Sequence, residues 1–293
     1  MNKKELLFII NPISGGKSKK DVESLIEANL DRNKFDYLIR YTEFANHAQE
    51  IIAEEIKGGQ IIIAVGGDGT INEIAKALST RKNTLGIIPM GSGNGLARHL
   101  GIPLNPKAAI LALNTSKETS IDTATLNGHF FISIAGLGFD SLIAAEFEKA
   151  NGRGLINYVR LSMIHYFKYK EEEYELIIDG EKHIRKAALV TFANSNQFGN
   201  NAIISPKADL ADGLLDVCIL RKPNLWQAPK ILFQVFNGRA DQSRLLEIIR
   251  GKEIIITPNT NTFANVDGES IKVGERVEIK LESKNLKILV PQE

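Results

Sequence analysis

One cysteine, Cys218, stands among 293 residues, so no intramolecular disulfide can form. It lies in the apolar run LLDVCIL and reads as a core residue of a protein kept in a reducing compartment. Net charge is nearly absent. The 36 lysines and arginines face 35 acids and leave +1, so no global field argues for a nucleic-acid partner. No run of about 18 apolar residues occurs, and any membrane contact is therefore expected to be peripheral. The N-terminal MNKKELLFIINP has too short an apolar run, without a small-residue cleavage site, for a signal sequence; it reads as a first strand. Paired cysteines, His-x-x-x-His and a Ser/His/Asp arrangement are missing too, which leaves zinc and covalent catalysis without carriers. The expectation is a cytoplasmic protein.

What remains is ordinary globular composition, 43% hydrophobic and 24% charged, in a chain long enough for two domains. Up to about residue 118 the period alternates. Strand-like ELLFIIN, FDYLIRYT, QIIIAVGG and TLGIIPMG are separated by helical spacing in 18–30, 47–57 and 71–78, with a short helix in 94–101. That alternation predicts a parallel sheet covered on both faces. From about Thr119 strand-like runs dominate, with hairpin signals at Asn127-Gly128 and Asp179-Gly180 and helical interludes near 141–170 and 224–250. The fold class expected is an α/β domain (1–118) followed by a β-rich antiparallel sandwich (119–293), the C-terminal tail returning to the first domain.

Three strand ends carry the chemistry. In IIIAVGGDGTINEIAKAL, Gly66, Gly67, Asp68, Gly69 and Thr70 separate a buried strand from a helix; glycines admit a phosphate, and helix-start N–H groups point at it. Asp68 beside a polyphosphate needs a reason, such as a ribose, a water or a magnesium ion; the alternative is a plain helix cap. A second loop holds Gly91, Ser92, Gly93, Asn94 and Gly95, and a third holds Gly15 and Gly16 followed by Lys17. One glycine loop is a weak signal, but three converging on one sheet edge point to a phosphate-rich ligand. Neither a Walker A motif nor the G-x-G-x-x-G fingerprint is present.

NPISGGK, GGDGTINE and GSGNGLAR, followed by SPKADLADGLLDV and NVDGES, together resemble the diacylglycerol kinase catalytic domain family, which includes soluble bacterial lipid kinases and the sphingosine kinases. The resemblance covers the whole chain. It implies a phosphofructokinase/NAD-kinase-like first domain, an active site in the interdomain cleft, and ATP-dependent phosphorylation of a lipid hydroxyl, diacylglycerol foremost. Asn11, Pro12, Ser14, Gly15, Gly66 through Asn72, Ser92 and Asn94 match the nucleotide motifs, with Thr42 matching an adenosine-side hydroxyl. Glu73 would orient Asn72 or a metal-bound water, or serve only as a first-turn acid. Lys17 and Arg98 are cations for the transferring phosphate or solvent-facing residues.

By the same resemblance Asp267 is the base, Glu269 a second carboxylate, and Asp209, Asp212 and the Leu214 carbonyl a structural magnesium site. A second magnesium ion would travel with ATP and meet Asp68, with Glu269, through water. The dull alternatives are an Asp-Gly hairpin turn and a solvated acidic loop. Helical spacing in 156–170 reads as an interfacial helix or as a core-packing one, and Gly136 and Gly138 as room for an acyl chain or as a bulge. The expected partners are ATP and a lipid presented peripherally at the inner membrane face; a homodimer is compatible with this. Sphingoid-base kinase, NAD kinase and a non-catalytic nucleotide-binding regulator are the competing functions.

Overall fold

The computed structural model describes residues 3–13, 21–139, 141–143, 146, 160, 164–166, 168–258 and 262–292. The chain divides into two compact units, one of Met1–Asp122 with Ser283–Glu293, the other of Thr123–Glu282. Two strands, β5 (Lys117–Leu126) and β16 (Val277–Val290), run across that division.

The first unit is built on a parallel sheet in the order β2-β1-β3-β4, with β1 Lys4–Ile10, β2 Phe35–Tyr41, β3 Ile61–Gly66 and β4 Thr84–Pro89. Every residue of β3 and β4 is buried, as continuous apolar runs require when helices cover both faces. Helices α1 (Val22–Asn29) and α5 (Pro106–Leu113) pack together, as do α2 (His47–Glu55) and α3 (Asp68–Leu78). The end of β16 joins this sheet, pairing Lys287 and Ile288 in parallel with Thr84 and Leu85 of β4. α5 went unread in the sequence. Asn105 starts it by accepting from the Ala108 N–H at 3.1 Å, with Pro106 in its first turn.

The second unit is an antiparallel sandwich. One layer runs from the start of β16 through β13 (Glu253–Pro258) and β8 (Glu172–Ile178) to β9 (Glu181–Ala187). The other has the order β12 (Leu246–Gly251), β11 (Leu215–Leu220), β10 (Leu189–Ala193), β7 (Ile134–Gly138), β14 (Thr262–Val266) and β15 (Glu269–Val273). β6 (His129–Phe131) pairs with β5. Alternation does the sorting: in β8, Tyr174, Leu176 and Ile178 point inward to meet Val190, Phe192, Val217 and Ile219. Asn127-Gly128, Asp179-Gly180 and Asp267-Gly268 all take positive φ, as tight hairpins with right-handed strand twist demand.

The interlude expected to be helical over 224–250 is only partly so. Helix α6 (Ala228–Phe236) gives way at Asn237 to Gly238, whose φ of 64° stops it, and Leu246–Gly251 is strand β12, paired with β11. The Asn-Gly break ends the helix, and the run beyond it is short enough to pair as a strand. Among the described residues no helix is long and apolar enough to cross a membrane.

Candidate active site

The carboxyl edge of the parallel sheet gathers the sequence-predicted residues of the first unit. Register aligns Ile10 with Val65 and Gly66 with Pro89, and the chain beyond each strand stays in the ladder. Asn11 donates its N–H to the Val65 carbonyl (3.1 Å), Thr42 to that of Ile10 (2.9 Å) and Met90 to that of Gly66 (2.7 Å). Strand order reverses between β1 and β3, the place where open α/β sheets hold ligands. Across that point the Asn11 Nδ2 donates to Thr70 Oγ1 at 3.0 Å. Pro12 and Ser92 are exposed, Thr42 is buried and Asn72 is half-buried. Ser14, Gly15 and Lys17 lie outside the described residues.

Helix α3 begins at Asp68, earlier than its apolar spacing indicates, so Asp68, Gly69 and Thr70 form its first turn and Gly67 its extended N-cap. Its early N–H groups face the same edge. Asp68 does something the sequence did not disclose. Its Oδ2 accepts from the Asn94 N–H and its Oδ1 from the Gly95 N–H, each at 2.8 Å, so it caps the short helix α4 (Gly95–His99) and ties the second glycine loop to the first. Burial pushes its carboxyl up from the ordinary value, against the pull of those N–H groups and of the nearby Arg98 guanidinium. Asn94, left-handed at φ 52°, accepts from the Gly91 N–H and donates to the Gly91 carbonyl, both at 2.9 Å. Arg98 Nε donates to the Gly93 carbonyl at 3.0 Å, so this cation braces the loop.

Loop-on-loop packing explains most of the glycines. A Cβ at Gly91 would sit 2.6 Å from the Gly67 Cα, one at Gly93 2.8 Å from Asp68 Oδ2, and one at Gly66 2.6 Å from Thr70 Cβ. Gly69 is different: among the described residues a Cβ there would meet nothing within 4 Å.

Glu73 does not serve the loop. Its Oε1 accepts from the Ala48 N–H at 2.8 Å and closes the N-terminus of α2, whose own N-cap Asn46 makes no side-chain cap. Burial raises this carboxyl as well.

In the second unit, Asp267 (φ 47°) opens the β14–β15 turn and folds back on the chain before β7. Oδ2 accepts from the Ile132 N–H (2.8 Å), and Oδ1 from those of Ser133 (3.0 Å) and Ile134 (2.8 Å). Three backbone donors anchor the carboxylate. Asp179 in the β8–β9 turn uses the same device on the Lys252 and Glu253 N–H groups, at 3.0 and 2.9 Å. Glu269 is exposed at the start of β15.

The acidic loop is tied by its own backbone and by an arginine. Asp209 Oδ1 accepts from the Ala211 N–H (2.9 Å) and Asp212 Oδ1 from the Leu214 N–H (3.0 Å), while Asp212 Oδ2 pairs with the Arg250 guanidinium. Arg250 also donates from Nε to Asp216 Oδ1 at 3.0 Å. Among the described residues no three His, Cys, Asp or Glu side chains gather for a metal. Arginine thus pairs with Asp212 and Asp216 on one side of this loop.

Gly136 and Gly138 leave no room for an acyl chain, because a Cβ would stand 3.1 Å from the Val190 carbonyl oxygen and 2.5 Å from that of Ala188. They admit β10 at close range. Cys218 is fully buried, and burial raises its thiol well above the ordinary range. The segment expected at an interface, 156–170, falls largely outside the described residues.

These two units match known proteins in order. Residues 5–126 match the diacylglycerol kinase catalytic domain and residues 133–290 the YegS C-terminal NAD kinase beta sandwich-like domain. The chain belongs to the diacylglycerol kinase/YegS-like lipid kinase family. It is 28% identical over 270 residues to a diacylglycerol kinase of Mycobacterium tuberculosis, covering 88% of this chain and 87% of that one. A protein of Pseudomonas aeruginosa named "Probable lipid kinase YegS-like" is 30% identical over 233 residues, covering 76% of this chain and 74% of its own. The fold is that of a Bacillus anthracis diacylglycerol kinase crystal structure, with TM-score 0.75 and 20% identity over 98% of this chain and 97% of that one. As a member of this kinase family the chain is expected to use ATP.

Proposed function

We propose that this kinase transfers the γ-phosphate of ATP to the primary hydroxyl of diacylglycerol, giving phosphatidic acid. The observation that carries the nucleotide half is the open space above Gly69. The first turn of α3 and the Asn11–Thr70 pair belong to the same loop corner, and the described residues give no packing reason for a missing side chain. A phosphate supplies one. Asn11, Pro12, Ser14, Gly15, Thr42, Gly66, Gly67, Gly69, Thr70, Asn72, Gly91, Ser92, Gly93 and Asn94 form the nucleotide side of this reading.

Phosphoryl transfer through a loose transition state asks chiefly for alignment and charge neutralisation. Asp68 is a positioning residue first: it fixes the Asn94–Gly95 loop. The Asp68 and Glu269 carboxylates are hard oxygen donors of the kind a magnesium–ATP complex takes through water, and magnesium would supply the neutralising charge. Asp267 accepts the proton of the lipid hydroxyl. Its three N–H donors hold it in one orientation, suited to orienting that hydroxyl and receiving its proton. The Asp209–Asp212–Leu214 loop takes no part in the chemistry.

The test is ATP turnover against diacylglycerols, monoacylglycerols, sphingoid bases and NAD⁺ in detergent micelles. Phosphate should appear on diacylglycerol and not on NAD⁺; transfer to NAD⁺ alone would defeat the reading. D267N should retain ATP binding and lose about 10²–10⁴ in turnover. The amide also misplaces a donor against a backbone N–H, costing about 1–3 kcal/mol of stability, so turnover is measured well below its melting temperature. Wild-type turnover in folded D267N removes Asp267 from the mechanism.

A further inference from the structure

Helix α6 is turned inside out. Ile231 and Gln234 are its buried side chains, whereas Leu232 (56% exposed), Phe233 (63%) and Phe236 (42%) stand in solvent. With Pro229 they fall within about a third of the helix circumference at 3.6 residues per turn, so the outer face is apolar while an amide points inward. Leu225 (60% exposed) and Trp226 (92% exposed), just before the helix, add to the patch. Tyr166, whose hydroxyl donates to the Pro223 carbonyl, brings exposed Ile164 to the same neighbourhood.

We propose that this face docks on an anionic lipid bilayer. Charge selects the partner. Residues 221–244 hold five basic side chains, Arg221, Lys222, Lys230, Arg239 and Arg244, against the single acid Asp241, in a chain that balances 36 basic residues against 35 acidic ones. Asp241 is itself paired with Lys207 at 3.2 Å, and Lys230 is exposed on the shoulder of the aromatic face. An outward stripe of Leu, Phe and Trp flanked by cations is the pattern of a segment lying in the headgroup layer. The choice of lipid rests on the lipid-kinase reading above, since such an enzyme must meet a substrate that resides in membranes. The surface itself is argued from its own residues.

Trp226 is the sole tryptophan of the chain and reports directly. Vesicles of phosphatidylglycerol and phosphatidylcholine in equal parts should shift its emission to shorter wavelength, shield it from acrylamide and co-sediment the protein; pure phosphatidylcholine should do so more weakly. L232E/F233E, at exposed positions, should keep the wild-type melting temperature and bind vesicles at least about tenfold more weakly. K230Q should weaken binding to the anionic vesicles alone, by roughly fivefold. Unmoved Trp226 emission, or full binding by L232E/F233E, overturns the proposal. So does a wild-type dimer in vesicle-free buffer that L232E/F233E dissolves, because the face then belongs to a second copy. Turnover of a short-chain diacylglycerol dispersed in water separates the two readings. L232E/F233E should match wild type there and fall behind on vesicle-borne substrate. If wild type docks yet phosphorylates no lipid, the kinase reading falls and the docking surface stands.

Discussion

A methyl group at Gly91 would press on the Gly67 backbone, whereas at Gly69 it would project into open space. The two substitutions should therefore part company. G91A is expected to lose about 1–3 kcal/mol, because backbone cannot move aside as a flexible side chain can. G69A lies within α3, and alanine there should add up to about 1 kcal/mol. It should also lower kcat/KM for ATP by roughly tenfold or more through displaced phosphates. A more stable G69A with wild-type ATP use would leave Gly69 without a ligand. Glu73 provides a test by pH. Its folded-state pKa is raised from 4.5, with burial as the largest cause. The stability tied to a raised pKa is fully present below the unfolded value and is lost as pH rises through the folded one. E73Q keeps an acceptor for the Ala48 N–H without a buried charge. Its stability relative to wild type should grow between about pH 4 and pH 7 in urea denaturation, and a constant difference would refute the burial argument. E73A, which loses the cap, should cost about 1 kcal/mol at either pH.

Among the elements, α3 organises its neighbours: Asp68 closes the N-terminus of α4 and Glu73 that of α2. This was not legible in the sequence, because a cap supplied from another helix has no local spacing to betray it. What was legible depended on periodicity. The buried runs of β3 and β4 and the alternation in β8 identify the parallel sheet and the sandwich without further help. Gly69 and the Asn11 corner were visible as motifs, but the packing reason for Gly91 and Gly93 needed coordinates. The acidic loop shows the limit of motif reading, since the residue that completes it, Arg250, lies on β12 within a stretch whose hydropathy suited a helix equally well. Here the prediction concerns magnesium. With Arg250 joining Asp212 and Asp216, magnesium should leave the melting temperature unchanged in the absence of ATP. R250M should lower stability by about 1–2 kcal/mol by stripping the buried Asp216 of a charged partner. A magnesium-dependent rise in wild type, abolished by D212A, would restore the loop as a metal site.

At the scale of the whole molecule, β5 and β16 are the strands that pass from one unit to the other, and the passage is fastened at Asp122. Its side chain is fully buried. Oδ1 accepts from the Ser283 hydroxyl at 3.1 Å and from the Lys284 N–H at 2.7 Å, where Lys284 turns left-handed (φ 50°) within β16. A lysine adopts that conformation at a cost and holds it when its surroundings repay the strain. The Asp122 carboxylate does so by satisfying the N–H that the turn exposes. D122A should remove that partner, costing about 0.5–1.5 kcal/mol, while D122N retains an oxygen for it and should lose less. The loss should appear as a lower denaturant midpoint with the m-value unchanged. An unchanged midpoint in D122A would mean that the strand crossing is held by the sheet pairing of β5 and β16 alone.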